Sequence, residues 1–151
     1  MLDALRPAPG WRIDLAVLST YSLDLTVGIA CLLSLAGLDD DRGSGSKVDL
    51  ATAVEQLRGR VQFLVQTGRI SATGNRQPVL ALMDQFVREM RLNEETSSWH
   101  AKTALCRYIE EDDDRSGVEW RLWVSSRNLT RDISWDTGLL LTGTPGMARP
   151  T

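Results

Sequence analysis

The sequence predicts a mixed α/β domain, a mixed β-sheet flanked by helices. Three observations lead there. Short apolar runs of strand length alternate with runs of helical spacing over the first ninety residues. Two strand-like runs then bracket a charged loop, Glu110 to Gly117 (EEDDDRSG), in the pattern of a hairpin. The length of 151 residues suits a single domain with one hydrophobic core, taken here as residues 1–151.

Pro7-Ala8-Pro9-Gly10 is a turn-rich lead-in. Asp14 to Tyr21 (DLAVLSTY) is short, apolar and β-branched near its end, which predicts a strand. Ser22 is the expected helix cap, with Asp24 in the first turn where the helix dipole favours a carboxylate. That helix is expected to end near Ala36-Gly37, and Asp39 to Lys47 is loop by composition. Leu50, Ala53, Val54 and Leu57 give a helix over Asp49 to Arg60. Val61 to Gln66 (VQFLVQ) reads as a second strand. Pro78 suits the first turn of a further helix, whose apolar side runs through Val79, Leu80, Leu82, Met83, Phe86, Val87 and Met90. Trp99 to Ile109, Val118 to Ser125 and Thr137 to Thr142 read as three late strands. The tail, residues 143–151, has two prolines and two glycines and is expected to be flexible.

Composition narrows the function classes. Hydrophobic residues make up 42% and charged residues 25%, ordinary values for a globular protein. The formal net charge is -3, so a polyanion would have to meet a local basic patch and not the whole surface. Cys31 and Cys106 each lie in an apolar run, and the favoured reading is two buried free thiols in a reducing compartment. Neither has a partner at ligand spacing, and the acidic runs Asp39-Asp40-Asp41 and Glu110 to Asp114 read as solvated loops, so no metal is expected. Met1 to Pro9 has no apolar signal core. Leu23 to Leu38 is too short to span a bilayer and contains Asp24, so it reads as a buried helix. A cytoplasmic protein without a membrane partner is expected.

The chemistry concentrates around the single histidine, His100, in Trp99-His100-Ala101-Lys102. In a strand, residues two apart face one side, so imidazole and ammonium share a face that Ala104, Cys106 and Tyr108 continue inward. The partner strand ends in Ser125-Ser126-Arg127-Asn128. Equal strand lengths on either side of the acidic loop bring this polar run beside Lys102. Such a set suits phosphoryl transfer: His100 as nucleophile, Lys102 as a positive charge, and Asn128 and Ser126 as phosphate donors. A second histidine would have to protonate the leaving oxygen, and this chain has none, so it holds half a site.

His-x-Lys followed a strand later by Ser-Arg-Asn-Leu-Thr resembles the HKD motif of the phospholipase D superfamily, with His100, Lys102, Ser126 and Asn128 as the matched residues. Leu18 to Leu25 (LSTYSLDL) and the run WRLWVSSRNLTRDISWDTGLLLTG extend the likeness over most of the chain. The resemblance implies a phospholipase D-like half-site domain, metal-free and cofactor-free catalysis through a phosphohistidine, and two motifs meeting across a two-fold axis in a homodimer or with a second motif-bearing chain. It also implies an acidic residue that orients the histidine, for which Asp136 is the candidate. The sequence departs from the pattern at Arg107, where the motif has Asp, and at Ser125, where it has Gly. Those departures are nearer to the His-Lys-Asn variant of tyrosyl-DNA phosphodiesterases.

Nucleic acid is the favoured substrate, with Arg127, Arg131 and Trp123 as candidate contacts. Trp120 shares a face with Leu122 and Val124 and reads as core, and packing also competes with base stacking as the account of Trp123. Two other functions are open: a non-catalytic assembly subunit or half of a larger enzyme, and a phospholipid hydrolase.

Overall fold

A computed structural model describes residues 1–38, 47–72, 78–93, 95–111 and 117–146. The loop and tail character expected at residues 39–46, 73–77, 112–116 and 147–151 lies outside the described residues. The elements are α1 (Leu2–Leu5), β1 (Trp11–Thr20), β2 (Leu23–Asp24), α2 (Leu25–Leu35), α3 (Lys47–Leu57), β3 (Val61–Gln66), β4 (Ile70–Ser71), a 3-10 helix (Pro78–Gln85), β5 (Val87–Met90), β6 (Lys102–Glu110), β7 (Val118–Ser125) and β8 (Gly138–Gly143). Six strands form one mixed sheet in the order β5-β3-β1-β6-β7-β8. β1, β3 and β5 are parallel, while β6, β7 and β8 follow in antiparallel order. The predicted mixed sheet with packed helices is what the chain forms.

The topology explains where the core lies. The chain steps from β1 to β3 to β5 in one direction, and right-handed crossovers then place every intervening helix on the same face. Leu5, Cys31, Leu32, Leu35, Leu50, Val54, Leu57, Met83 and Phe86 come down from the helices. They meet Ala16, Leu18, Phe63, Val65, Ala104, Cys106 and Tyr108 from the sheet. Directly paired residues share a sheet face. Leu105 pairs with Val17 and Leu122, and Leu122 pairs with Leu141, so these lie on the opposite, uncovered face. There Leu15, Leu105, Val124, Leu139 and Leu141 are exposed.

The hairpin register matches the sequence reading. Thr103 pairs with Val124, which continues to Lys102 beside Ser125. Trp120 and Trp123, both expected to pack in the core, lie on opposite faces of the sheet. Trp120 pairs with Arg107 on the uncovered face, half-buried beneath that guanidinium. Trp123 pairs with buried Ala104 and packs against the core, so the packing reading holds for it and fails for Trp120.

Several boundaries differ from those expected, and the larger differences have a local reason. Asp24, not Ser22, caps α2, its Oδ1 accepting from Thr26 N at 2.8 Å. Leu23 and Asp24 pair with Ile70 and Ser71, which keeps the chain extended two residues further. The helix predicted through Met90 is a 3-10 helix that stops at Gln85, because Val87 to Met90 pair with Phe63 to Gln66. β1 starts at Trp11, earlier than its apolar run, since it pairs with Glu110. β6 starts at Lys102, not Trp99, because its neighbour β1 ends at Thr20.

The two thiols are buried and unbonded. Burial pushes Cys31 up to about 12, with Cys106 nearby adding to the rise. Burial pushes Cys106 up to about 11, against smaller opposing effects of Tyr108 and Arg121. The Tyr108 hydroxyl donates to Leu5 O at 2.6 Å and ties α1 to the sheet.

Candidate active site

His100 stands at the carboxyl end of β1 and β3, the end of a parallel sheet where α/β folds place ligands. Its segment is pinned from both sides. Trp99 N donates to Gln66 Oε1 at 2.7 Å, and Trp99 Nε1 donates to Leu64 O at 3.2 Å, both acceptors belonging to β3. Two residues on, Lys102 enters the ladder opposite Thr20. The imidazole itself is exposed. Lys102 Nζ lies 3.0 Å from His100 Nδ1 and 3.5 Å from Nε2. The ammonium therefore straddles the ring and does not saturate one lone pair. An ammonium only donates, and a ring nitrogen that carries no proton can accept from it.

Two further residues complete this end. The Tyr21 ring centroid is 5.0 Å from that of His100, tilted by 44°. The Arg69 guanidinium lies 5.1 Å over the other ring in the series, Tyr21. The sequence places Tyr21 at the end of the strand run DLAVLSTY and within LSTYSLDL, and it marks neither Tyr21, Arg69 nor Gln66 as a site residue. Tyr21 directly follows β1, and that position was the available signal; nothing local marks Arg69.

The second part of the motif has different partners. Ser125 Oγ and Ser126 Oγ donate to Asp136 Oδ1 at 2.9 and 3.0 Å, and Thr137 N donates to Ser126 Oγ at 3.0 Å. Asp136 therefore closes the β7–β8 connection, and no hydrogen bond among the described residues joins it to His100, whose orienting acid it was expected to be. Some desolvation raises its pKa, but the hydrogen bonds from the two serines and the charge of Arg127 outweigh that and hold it below the usual Asp range. Ser126, expected as a phosphate donor, is engaged in the same turn. Arg127 donates to Ser134 O at 2.8 Å and to Asp132 O, so its guanidinium braces the connection and is not a free substrate contact. Asp132 is also held low, first by the backbone N–H of Ser134. Arg131 Nε lies 3.3 Å from Asp24 Oδ2, at the α2 cap, with half its side chain in solvent. Trp123, the candidate stacking residue, is half-buried and packs against the core.

Thr20 joins the two parts. Leu129 N donates to Thr20 Oγ1 at 3.1 Å, Asp24 N donates to Leu129 O at 2.8 Å, and Leu129 bridges Leu23. The segment after β7 is thereby folded back over the end of β1, next to the position that pairs with Lys102. Lys102, Ser125, Arg127 and Leu129 line one small cavity there. Asn128 lines an adjoining cleft with Arg131 and Asp132. No hydrogen bond among the described residues joins Asn128 to His100 or Lys102. Its Oδ1 is buried without a hydrogen-bond partner, as are Thr67 Oγ1 and Trp123 Nε1. No group of three His, Cys, Asp or Glu among the described residues could hold a metal ion. Among the same residues, no helix is long and apolar enough to cross a membrane.

No protein-family model matches the chain, and no curated protein matches it. Among solved structures, the chain is similar to a mutant of yeast tyrosyl-DNA phosphodiesterase, with 14% identity and a TM-score of 0.45. The match covers 85% of this chain and 24% of that one, so the chain spans about a quarter of that structure.

Proposed function

We propose that the chain carries one half of a metal-independent phosphodiesterase site of phospholipase D type. His100 is the nucleophile, Lys102 neutralises charge on the non-bridging oxygens, and Asn128 donates to the phosphoryl group. A neutral ring nitrogen of His100 attacks phosphorus in line. The P–N bond forms as the P–O bond to the leaving group breaks. The leaving oxygen takes its proton from an acid on a second motif, since the chain has one histidine. Water, deprotonated by that same group, then attacks phosphorus and frees the imidazole. A second copy of this chain or another motif-bearing chain supplies the acid, and a nucleic-acid phosphodiester is the substrate.

The observation that carries this reading is the Lys102 ammonium 3.0 Å from an exposed His100 imidazole at the carboxyl end of a parallel strand. The test is hydrolysis of DNA and RNA oligonucleotides and of an aryl phosphodiester in EDTA. Wild type is expected to be active, and His100→Ala to lose on the order of 10^3-fold or more. Absence of EDTA-resistant turnover, or equal turnover in the variant, refutes it.

A second reading is a non-catalytic assembly subunit. It is favoured by the internal engagement of Ser126 and Asp136, which leaves Asn128 as the one remaining donor from that part of the motif. A stable dimer with no turnover on any phosphodiester would select it.

A further inference from the structure

We infer that Tyr21, clamped by Arg69, is the residue that orients the His100 imidazole, in place of a carboxylate. This rests on the reading of His100 as the nucleophile. A nucleophilic histidine must hold one lone pair toward phosphorus, so something has to fix its ring. The expected acid, Asp136, is bound to two serine hydroxyls instead. Among the described residues no carboxylate forms a hydrogen bond or ion pair with His100. Its contacts are Lys102 and the Tyr21 ring.

The surroundings of Tyr21 are built to hold it. Thr20 is fully buried, and its hydroxyl donates to Ser22 O at 2.9 Å, closing the backbone around Tyr21. Because Thr20 pairs with Lys102, Tyr21 falls next to the residues just before β6. Arg69 is fixed to the same stretch: its carbonyl accepts from Leu23 N at 3.0 Å, and its own N–H donates to Gln66 O at 3.1 Å. Gly68, at φ 73°, makes the turn that brings Arg69 back. Gln66 in turn holds Trp99, the residue before His100. The order is therefore cation, ring, imidazole, cation: Arg69, Tyr21, His100, Lys102.

The stack does two things. A tilted ring contact restricts rotation of the imidazole about its last bond while leaving both nitrogens free of a competing acceptor. The Tyr21 ring also lies beside the imidazole as it gains positive character on phosphorylation. Among the described residues, the charged or titratable groups in contact with His100 are Lys102 from β6 and Tyr21 after β1. Arg69, after β3, acts through the Tyr21 ring.

The chain has a single histidine, so the imidazole gives one Cε1–H signal by NMR. Wild type should show that proton displaced by the Tyr21 ring current, with cross-relaxation to the Tyr21 ring protons. Tyr21→Leu should move it to the position of an unstacked histidine, and exposed Arg69→Gln should move it part of the way. On an aryl phosphodiester, Tyr21→Leu should lower kcat by on the order of 10-fold with little change in KM, and Tyr21→Phe should restore most of that loss. An unchanged His100 signal in both Tyr21→Leu and Arg69→Gln overturns the inference, as does failure of Phe to restore what Leu loses. Arg69→Gln, at the surface, decides the case if Tyr21→Leu does not fold. If wild type turns over nothing, the nucleophile reading fails and the orienting role falls with it. The signal shifts still tell whether the stack itself exists.

Discussion

The two parts of the motif sit at neighbouring strand ends and are built in opposite ways. Around His100 the backbone is anchored by Gln66 and by Lys102's place in the ladder, while the imidazole is exposed and touches one cation and one ring. Around Ser126 the side chains anchor each other: two hydroxyls on Asp136, a backbone N–H on Ser126, and Arg127 on two carbonyls. Hydrogen-bonding capacity at the first end is left open for a ligand, whereas at the second it is already satisfied by the fold. The two segments thus divide into an open end and a self-satisfied end, and Asn128 Oδ1 is buried without a hydrogen-bond partner.

The sharpest way to break this contrast is to compare substitutions at the two ends. His100→Ala should remove on the order of 10^3-fold of activity yet change unfolding free energy by less than about 0.5 kcal/mol, because the side chain is exposed. Denaturant melts beside initial rates check both. At the other end, Gly138→Ala should destabilise by about 1–3 kcal/mol, since its new Cβ would run into the Trp123 ring. Asp136→Ala should cost about 1 kcal/mol in the same melts, a value kept small by exposure, and reduce activity far less than His100→Ala. Loss of activity equal to that of His100→Ala, without destabilisation, would make Asp136 part of the chemistry and dissolve the distinction.

A pH series sharpens it further. The folded-state pKa of Asp136 is depressed, so its contribution is present above the unfolded Asp value, near 4, and disappears as pH falls through the lower folded value. Wild type should therefore lose more stability on acidification than Asp136→Ala does. The smallest expected effect concerns the core. With both thiols buried and raised, Cys31 and Cys106 should react with a thiol reagent only on unfolding, and fast labelling of native protein would contradict that packing.

Much of the fold was legible in the sequence, and the reasons are physical. β3 and the β6–β7 register followed from short apolar runs on either side of a charged loop. The Pro78 helix misled because Val87 and Met90 continue its apolar spacing, yet a parallel partner strand claims them. The cap of α2 misled because Leu23 and Asp24 pair with residues some fifty positions away, which no local pattern reports. For the site, His100 and Lys102 lie two residues apart, and their contact follows from local geometry. Asp136 satisfies nearby serines, and Tyr21 and Arg69 reach His100 only through the sheet, so their partners are set by tertiary structure.

The most direct test of His100 as the nucleophile is to trap the covalent intermediate. Protein would be incubated in EDTA with a phosphodiester labelled on the retained side of phosphorus, quenched under denaturing alkaline conditions, and digested for mass spectrometry. The expected result is one alkali-stable, acid-labile phosphoramidate on the peptide containing His100, absent from His100→Ala. Turnover that proceeds at full rate in His100→Ala, or a covalent label found only on another residue, would contradict it.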